Sequence, residues 1–109
     1  MFTILITGVA GFIGSNLAER LIQEKKYRVI GLDNLSSGVR EQVPEAVEFH
    51  QLDIRSRAIY PLFQNVDYVF HLAAKNCISD CQADPVETAD VNVTGTVNVF
   101  EACRRAGVK

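Results

Sequence analysis

The stretch Thr7-Gly8-Val9-Ala10-Gly11-Phe12-Ile13-Gly14-Ser15-Asn16 follows directly on the apolar run Phe2-Thr3-Ile4-Leu5-Ile6. That order sends a buried strand into a glycine turn and then into a helix. Gly8 is expected to permit the tight turn and Gly14 to let the helix pack close to the strand it came from. Gly11 is expected to leave room for a pyrophosphate, because the helix start offers unpaired N–H donors and the positive end of the macrodipole. The spacing Gly-x-x-Gly-x-x-Gly is one residue longer in its first gap than the usual dinucleotide fingerprint, so its context has to support it. The alternative is a tight turn that holds no ligand.

The context does support it. Leu17, Ala18, Leu21 and Ile22 recur at helical spacing, and Tyr27-Arg28-Val29-Ile30-Gly31-Leu32-Asp33 reads as a second strand. Asp33 stands 19 residues past Gly14, near the offset at which an acidic side chain meets the adenosine ribose hydroxyls. A carboxylate there favours NAD and repels the 2′-phosphate of NADP, and no basic residue follows until Arg40. Asp33 also suits a plain turn or helix cap, since Asp33-Asn34-Leu35-Ser36-Ser37-Gly38 is rich in turn formers.

Further along, Val39 to Glu45 is polar and interrupted by Pro44, and Val47 to Leu52 alternates as a half-buried strand does before Asp53-Ile54. Pro61 limits any helix between Arg55 and Asn65 to a short or irregular one. Val66 to Ala74 reads as a fully buried strand followed by small residues that let a ligand come close. Asp84-Pro85-Val86-Glu87 starts a helix of about 22 residues, with Ala89, Val93, Val97 and Phe100 on one face and Gly107 ending it. Asn92 and Asn98 lie within that helix, as does Gly95, which is expected to serve close packing.

Right-handed crossovers then give a Rossmann-like α/β fold, a doubly wound parallel sheet of four strands in the order 3-2-1-4. A dinucleotide is expected across the switch point between strands 1 and 4. Such folds are built from two halves, and a fifth strand is expected near Gly107-Val108-Lys109. The sequence thus reads as one domain, residues 1–109, holding the cofactor portion of the fold. The apolar edge of strand 4, or the long helix, invites a homo-oligomer.

With a net charge of −2 and no basic stripe, nucleic acid is not an expected partner. The apolar runs are too short for a membrane span, and the absence of a leader points to the cytoplasm. Cys77, Cys81 and Cys103 are expected to be reduced thiols, since Cys77-x-x-x-Cys81 matches neither a redox motif nor a zinc half-site. His50 and His71 are expected to serve packing or hydrogen bonding, so no metal is expected.

Taken together, Thr7 to Gly14, Val29 to Gly38, Asp53-Ile54, Val69-Phe70-His71-Leu72-Ala73-Ala74 and Asn92-Val93-Thr94-Gly95-Thr96 resemble the extended short-chain dehydrogenase/reductase family. The resemblance is to its NAD-dependent nucleotide-sugar epimerase/dehydratase branch, most of all the UDP-glucose 4-epimerase-like members. It implies that Gly8, Gly11, Phe12, Ile13 and Gly14 hold the pyrophosphate of NAD. It implies that Asp33 and Asn34 contact the adenosine ribose, with Ser36, Ser37 and Gly38 completing that loop. It further implies that Asp53 and Ile54 flank the adenine, that Leu72, Ala73 and Ala74 line the nicotinamide side, and that Asn92 is the asparagine of the long helix. Many such epimerases carry a lysine where this chain has Asn76, with Lys75 one position early.

The family's chemistry implies a Tyr-x-x-x-Lys pair, the tyrosine acting as base on a sugar hydroxyl. Four residues after Tyr27, Tyr60 and Tyr68 stand Gly31, Gln64 and Leu72, so the chain has no such pair and no catalytic residue is assigned. The expectation is an NAD-binding portion of a nucleotide-sugar epimerase or dehydratase that does not turn over alone. The alternatives are a non-catalytic half-fold module that binds NAD or self-associates through its exposed edge, and a redox-sensing or regulatory protein on the same fold.

Overall fold

In the computed structural model, which describes residues 1–109, β1 (Phe2–Thr7), β2 (Tyr27–Asp33), β3 (Glu48–Gln51) and β4 (Tyr68–His71) form one parallel sheet. Its order is β3-β2-β1-β4, as expected. Register pairs Thr7 with Leu32 on one side and with His71 on the other, so the carboxyl ends of β2, β1 and β4 finish level.

The period-two alternation of strand side chains divides the interior into two layers. Leu5, Ile30 and Leu32 face one way, packed with Ile59, Phe63, Val91, Val99 and Ala102. Ile4, Ile6 and Val29 face the other, packed with Val9, Ala10 and Ala18. Helix α1 (Phe12–Gln23) covers the second layer through Ala18, with Leu17, Leu21 and Ile22 beside it. The first layer is covered by a helical rod made of α3 (Pro85–Ala89), a π-turn (Asp90–Thr94) and α4 (Gly95–Ala106), together with the 3₁₀ turn Arg57–Phe63 around Pro61. Burying a side chain such as Phe63 or Leu5 completely contributes about 1.5–3 kcal/mol.

The rod starts where expected, with Asp84 accepting from the Glu87 N–H at 3.0 Å. It stops at Gly107, which takes φ 72° while the Val108 N–H reaches back to Cys103 O at 3.0 Å. Its buried face corrects the expected one. Val93, Val97 and Phe100 are all more than 60% exposed, whereas Val91, Gly95, Val99 and Ala102 face the sheet. The rod carries two apolar stripes, and Gly95 decides between them. A Cβ there would come within 2.6 Å of Ile54 Cδ1, so only the glycine-bearing side can approach the sheet.

Two further differences are local. Helix α2 (Ile78–Ala83) was not expected, because six residues of mixed polarity are too few to carry a readable period. Strand β4 is not fully buried. Tyr68 and Phe70 are exposed on it, because β4 forms the sheet edge and only its Val69 side meets the core. No helix is long and apolar enough to cross a membrane.

Candidate functional site

At the carboxyl ends of β1, β2 and β4 lies a cleft of about 460 Å³. It is the crevice where sheets of this kind take their ligands. Its floor is the β1–α1 turn. Gly8 sits at φ 73°, and a side chain there would strike the backbone of Ala73 at 2.8 Å, so the turn requires glycine twice over. At Gly14 a Cβ would overlap the Gly8 carbonyl oxygen, which fixes the close approach of α1 to the turn. At Gly11 a Cβ would meet only that oxygen, at 3.4 Å, and would otherwise point into open cleft. Helix α1 has no side-chain cap and no acidic residue in its first turn, and the Phe12 and Ile13 amides find no acceptor within the chain. The result is a bare, electropositive helix start facing a cavity a Cβ would partly fill, which fits a pyrophosphate.

The β2–β3 loop is fastened to that floor. Asp33 accepts from the Ala10 N–H at 3.0 Å with one carboxylate oxygen and from the Leu35 N–H at 2.8 Å with the other. Ala10 O in turn accepts from the Val39 N–H at 3.1 Å. Both backbone groups of Ala10 are therefore spent on the second loop, and Gly38 lets the loop close onto it. The carboxylate keeps lone pairs for ligand hydroxyls. Asn34 accepts from the Ser36 N–H at 3.0 Å and donates to Asp53 at 3.3 Å, tying this loop to the next.

Asp53 and Ile54 form the third side. Arg55 grips Asp53 from its own backbone N–H and from two guanidinium nitrogens, and extends to Asp90 at 2.9 Å. Those hydrogen bonds from Arg55, outweighing the opposing effect of burial, pull the Asp53 carboxyl down to about 2. Glu87 lies 3.6 Å from Arg55 and 3.9 Å from Lys75, completing a charged rim.

The fourth side is the segment after β4. Thr7 Oγ1 accepts from the Leu72 and Ala73 N–H groups at 3.0 and 3.1 Å. That leaves its own proton for His71 Nδ1, 2.7 Å away. Nδ1 is therefore the acceptor, and the neutral ring carries its proton on Nε2, which donates to Thr96 Oγ1 at 2.9 Å. The Thr96 hydroxyl donates to Asn92 O at 2.7 Å. Burial lowers the His71 pKa below the usual value of 6.5, and the filled acceptor position on Nδ1 acts the same way. The unfolded chain takes up this proton near the ordinary histidine value while the folded chain resists it, so stability is lost as pH falls below about 6.5. Melting temperature is accordingly expected to drop between about pH 7.5 and about pH 5.5. A His71→Gln variant, which keeps a donor and an acceptor without titrating, should show a flatter curve, and equal slopes would sink this account.

The structure brings Gly8, Gly11, Phe12, Ile13, Gly14, Asp33, Asn34, Ser36, Ser37, Gly38, Asp53, Ile54, Leu72, Ala73 and Ala74 to one cleft. Asn92 lies outside the lining, and its side chain holds the Lys75 backbone instead. Arg55, Lys75, Asn76 and Glu87 also line the cleft. Apart from the offset of Lys75 and Asn76 and the helix-start position of Glu87, no local pattern marks them, because Arg55 meets Asp90 and Lys75 meets Glu87 only once the chain has folded. None of the three tyrosines reaches it. Tyr60 donates to Asn98, Tyr68 packs against Phe2, and Tyr27 lies under Lys26. No cluster of side chains is arranged to hold a metal.

Residues 4–109 match the model of the NAD dependent epimerase/dehydratase family. A UDP-glucose 4-epimerase of Mycolicibacterium smegmatis is 42% identical over 112 aligned residues, covering 96% of this chain and 36% of the relative. UDP-glucuronic acid decarboxylase 6 of Arabidopsis thaliana is 36% identical over 107 residues, covering 97% of this chain and 31% of the relative. The crystal structure of Thermus thermophilus UDP-glucose 4-epimerase in complex with NAD superposes with a TM-score of 0.88 at 39% identity, covering 99% of this chain and 35% of that one. The chain thus spans about a third of the length of the relatives it matches.

Proposed function

The chain belongs to the NAD-dependent epimerase/dehydratase family, and from that premise we propose that it is the NAD-holding portion of a nucleotide-sugar enzyme of the UDP-hexose 4-epimerase type. The observation that carries this reading is the convergence of the glycine turn, the bare α1 N-terminus and the Asp33 carboxylate on one cleft. Bound NAD supplies a reversible hydride acceptor. The Phe12 and Ile13 amides would bind its pyrophosphate, with Gly11 giving the clearance. Asp33 and Asn34 would accept and orient the adenosine ribose hydroxyls. Asp53 and Ile54 would flank the adenine, and the small residues Ala73 and Ala74, with Leu72, would admit the nicotinamide.

The chain by itself does not supply the base of the family's reaction, because no tyrosine lies in the cleft or precedes a lysine by four positions. NAD binding without turnover is therefore expected. The chain contains no tryptophan, so titration with NADH can be followed by the cofactor's own fluorescence. Saturable NADH binding, at least about tenfold weaker NADPH binding, and no interconversion of UDP-glucose and UDP-galactose are the expected results. Absence of NADH binding would overturn the cofactor reading, and turnover would overturn the claim of inactivity.

A further inference from the structure

The cleft is lined by two cationic side chains, Arg55 and Lys75, and by three carboxylates, Asp33, Asp53 and Glu87. Three of the five are tied down by hydrogen bonds. Asp33 is held by backbone amides, and Asp53 and Arg55 hold each other, with Asp90 accepting a further guanidinium N–H. The Arg55 charge is thus met by two carboxylates without Glu87. Glu87 and Lys75 differ from these, because no hydrogen bond holds either side chain. The Glu87 carboxylate stands between the two cations, 3.6 Å from Arg55 and 3.9 Å from Lys75. Its backbone is fixed there by the start of the rod, where Pro85 opens the first turn and Asp84 accepts the Glu87 N–H at 3.0 Å.

The effect of this carboxylate is electrostatic. Glu87 is the only carboxylate paired with Lys75, and the two side chains are 29% and 43% exposed, so water screens their attraction only in part. With Glu87 in place the cleft offers an anion no unpaired cation, and its hold on phosphate rests on the amides at the start of α1. Amides and a helix dipole carry partial charges only, which suits the singly charged phosphates of a dinucleotide. A free ammonium would favour the extra charge of a terminal phosphate. Resting on the NAD reading above, we propose that Glu87 is a specificity-determining residue, which neutralises Lys75 and so keeps the cleft selective for dinucleotides over adenine nucleotides that end in a phosphate. Those nucleotides share the adenosine and phosphates of NAD, and a terminal phosphate adds up to about one further negative charge near neutral pH.

The experiment compares ADP-ribose with ADP, which share the adenosine and both phosphates and differ in whether the second phosphate is esterified. Both are titrated into the 109-residue chain by calorimetry at low ionic strength, where charge effects are largest. The parent is expected to prefer ADP-ribose. Glu87→Gln is expected to tighten ADP about tenfold and ADP-ribose about threefold or less, moving the ratio of the two affinities toward ADP. Added salt should shrink that gain. Combining Glu87→Gln with Lys75→Met is expected to restore the parental ratio, because the freed cation is gone. A merely structural role for Glu87 would weaken both probes together and leave their ratio alone. Circular dichroism reports folding, and Glu87→Ala, a second neutral variant, carries the same comparison should the glutamine variant not fold. An unchanged ratio in the neutral variants, a shift that survives removal of the lysine charge, or a parent that already prefers ADP overturns the proposal. Failure of the parent to bind NADH or ADP-ribose at all would instead count against the NAD reading itself.

Discussion

Gly14→Ala is expected to be the most damaging single methyl addition in this chain, lowering stability by about 3 kcal/mol or more and abolishing NADH binding. The added carbon would overlap the Gly8 carbonyl oxygen and press on Gly8 C and Val9 Cα at 2.9 Å. All three are backbone atoms of the turn, so no rotamer change relieves the clash. Relief requires α1 to lift from β1, which uncovers Ala18 and the layer around Ile4, Ile6 and Val9 and swings the Phe12 and Ile13 amides away from the cleft. Gly11→Ala is the matched control. Its φ of −80° and ψ of 175° suit alanine, and its Cβ would meet only the Gly8 oxygen, at 3.4 Å. The melting temperature of Gly11→Ala should stay within a few degrees of the parent, about what 0.5 kcal/mol produces, while NADH affinity falls because the methyl enters the space where, on the reading proposed above, the pyrophosphate would lie. Thermal denaturation and titration of the pair decide the matter. Equal melting temperatures for the two variants would show that Gly14 is not the packing glycine.

The bend at Gly8 and the close helix approach at Gly14 were legible in the sequence because each follows from a local necessity. Strand order was legible for a similar reason, since two strongly apolar strands and their connections leave few parallel arrangements. The buried face of the long rod was not legible. Val93, Val97 and Phe100 form as regular a stripe as Val91, Gly95, Val99 and Ala102, and the choice rests on Ile54, 41 positions before Gly95 in the chain. Arg55 was missed on the same grounds. One of its partners, Asp53, is two residues away, but Asp90 is 35 away, and no short pattern joins them. His71 was expected to serve packing or hydrogen bonding, yet its tautomer follows only from Thr7 and Thr96, neither of which the sequence ties to it. Local backbone requirements leave a trace in sequence, whereas contacts made across the sheet need the fold first.

Asp33 carries the second large effect, because its carboxylate has two tasks at once. It holds the Ala10 and Leu35 N–H groups, and the Leu35 backbone sits in the left-handed region at φ 61°, an arrangement that costs energy unless a partner holds it. Asp33→Ala leaves the fully buried Ala10 N–H without an acceptor, a penalty of about 1–3 kcal/mol, and frees the loop that closes one side of the cleft. NADH affinity should fall by about 10- to 100-fold as ribose contacts and loop order are lost together. Asp33→Asn separates the two tasks. Its carbonyl oxygen still accepts one backbone N–H, so the loop keeps part of its hold, but the negative charge is gone. Two like charges about 4 Å apart repel by roughly 1 to 4 kcal/mol, depending on how much water reaches them. Removing one of them should raise NADPH affinity relative to NADH by about tenfold, even as NADH itself binds less well. Paired NADH and NADPH titrations of the parent and both variants give the ratio directly. If Asp33→Asn leaves it unchanged, the carboxylate acts only as a loop tie, and selection against the 2′-phosphate has to come from the shape of the loop between Asn34 and Gly38.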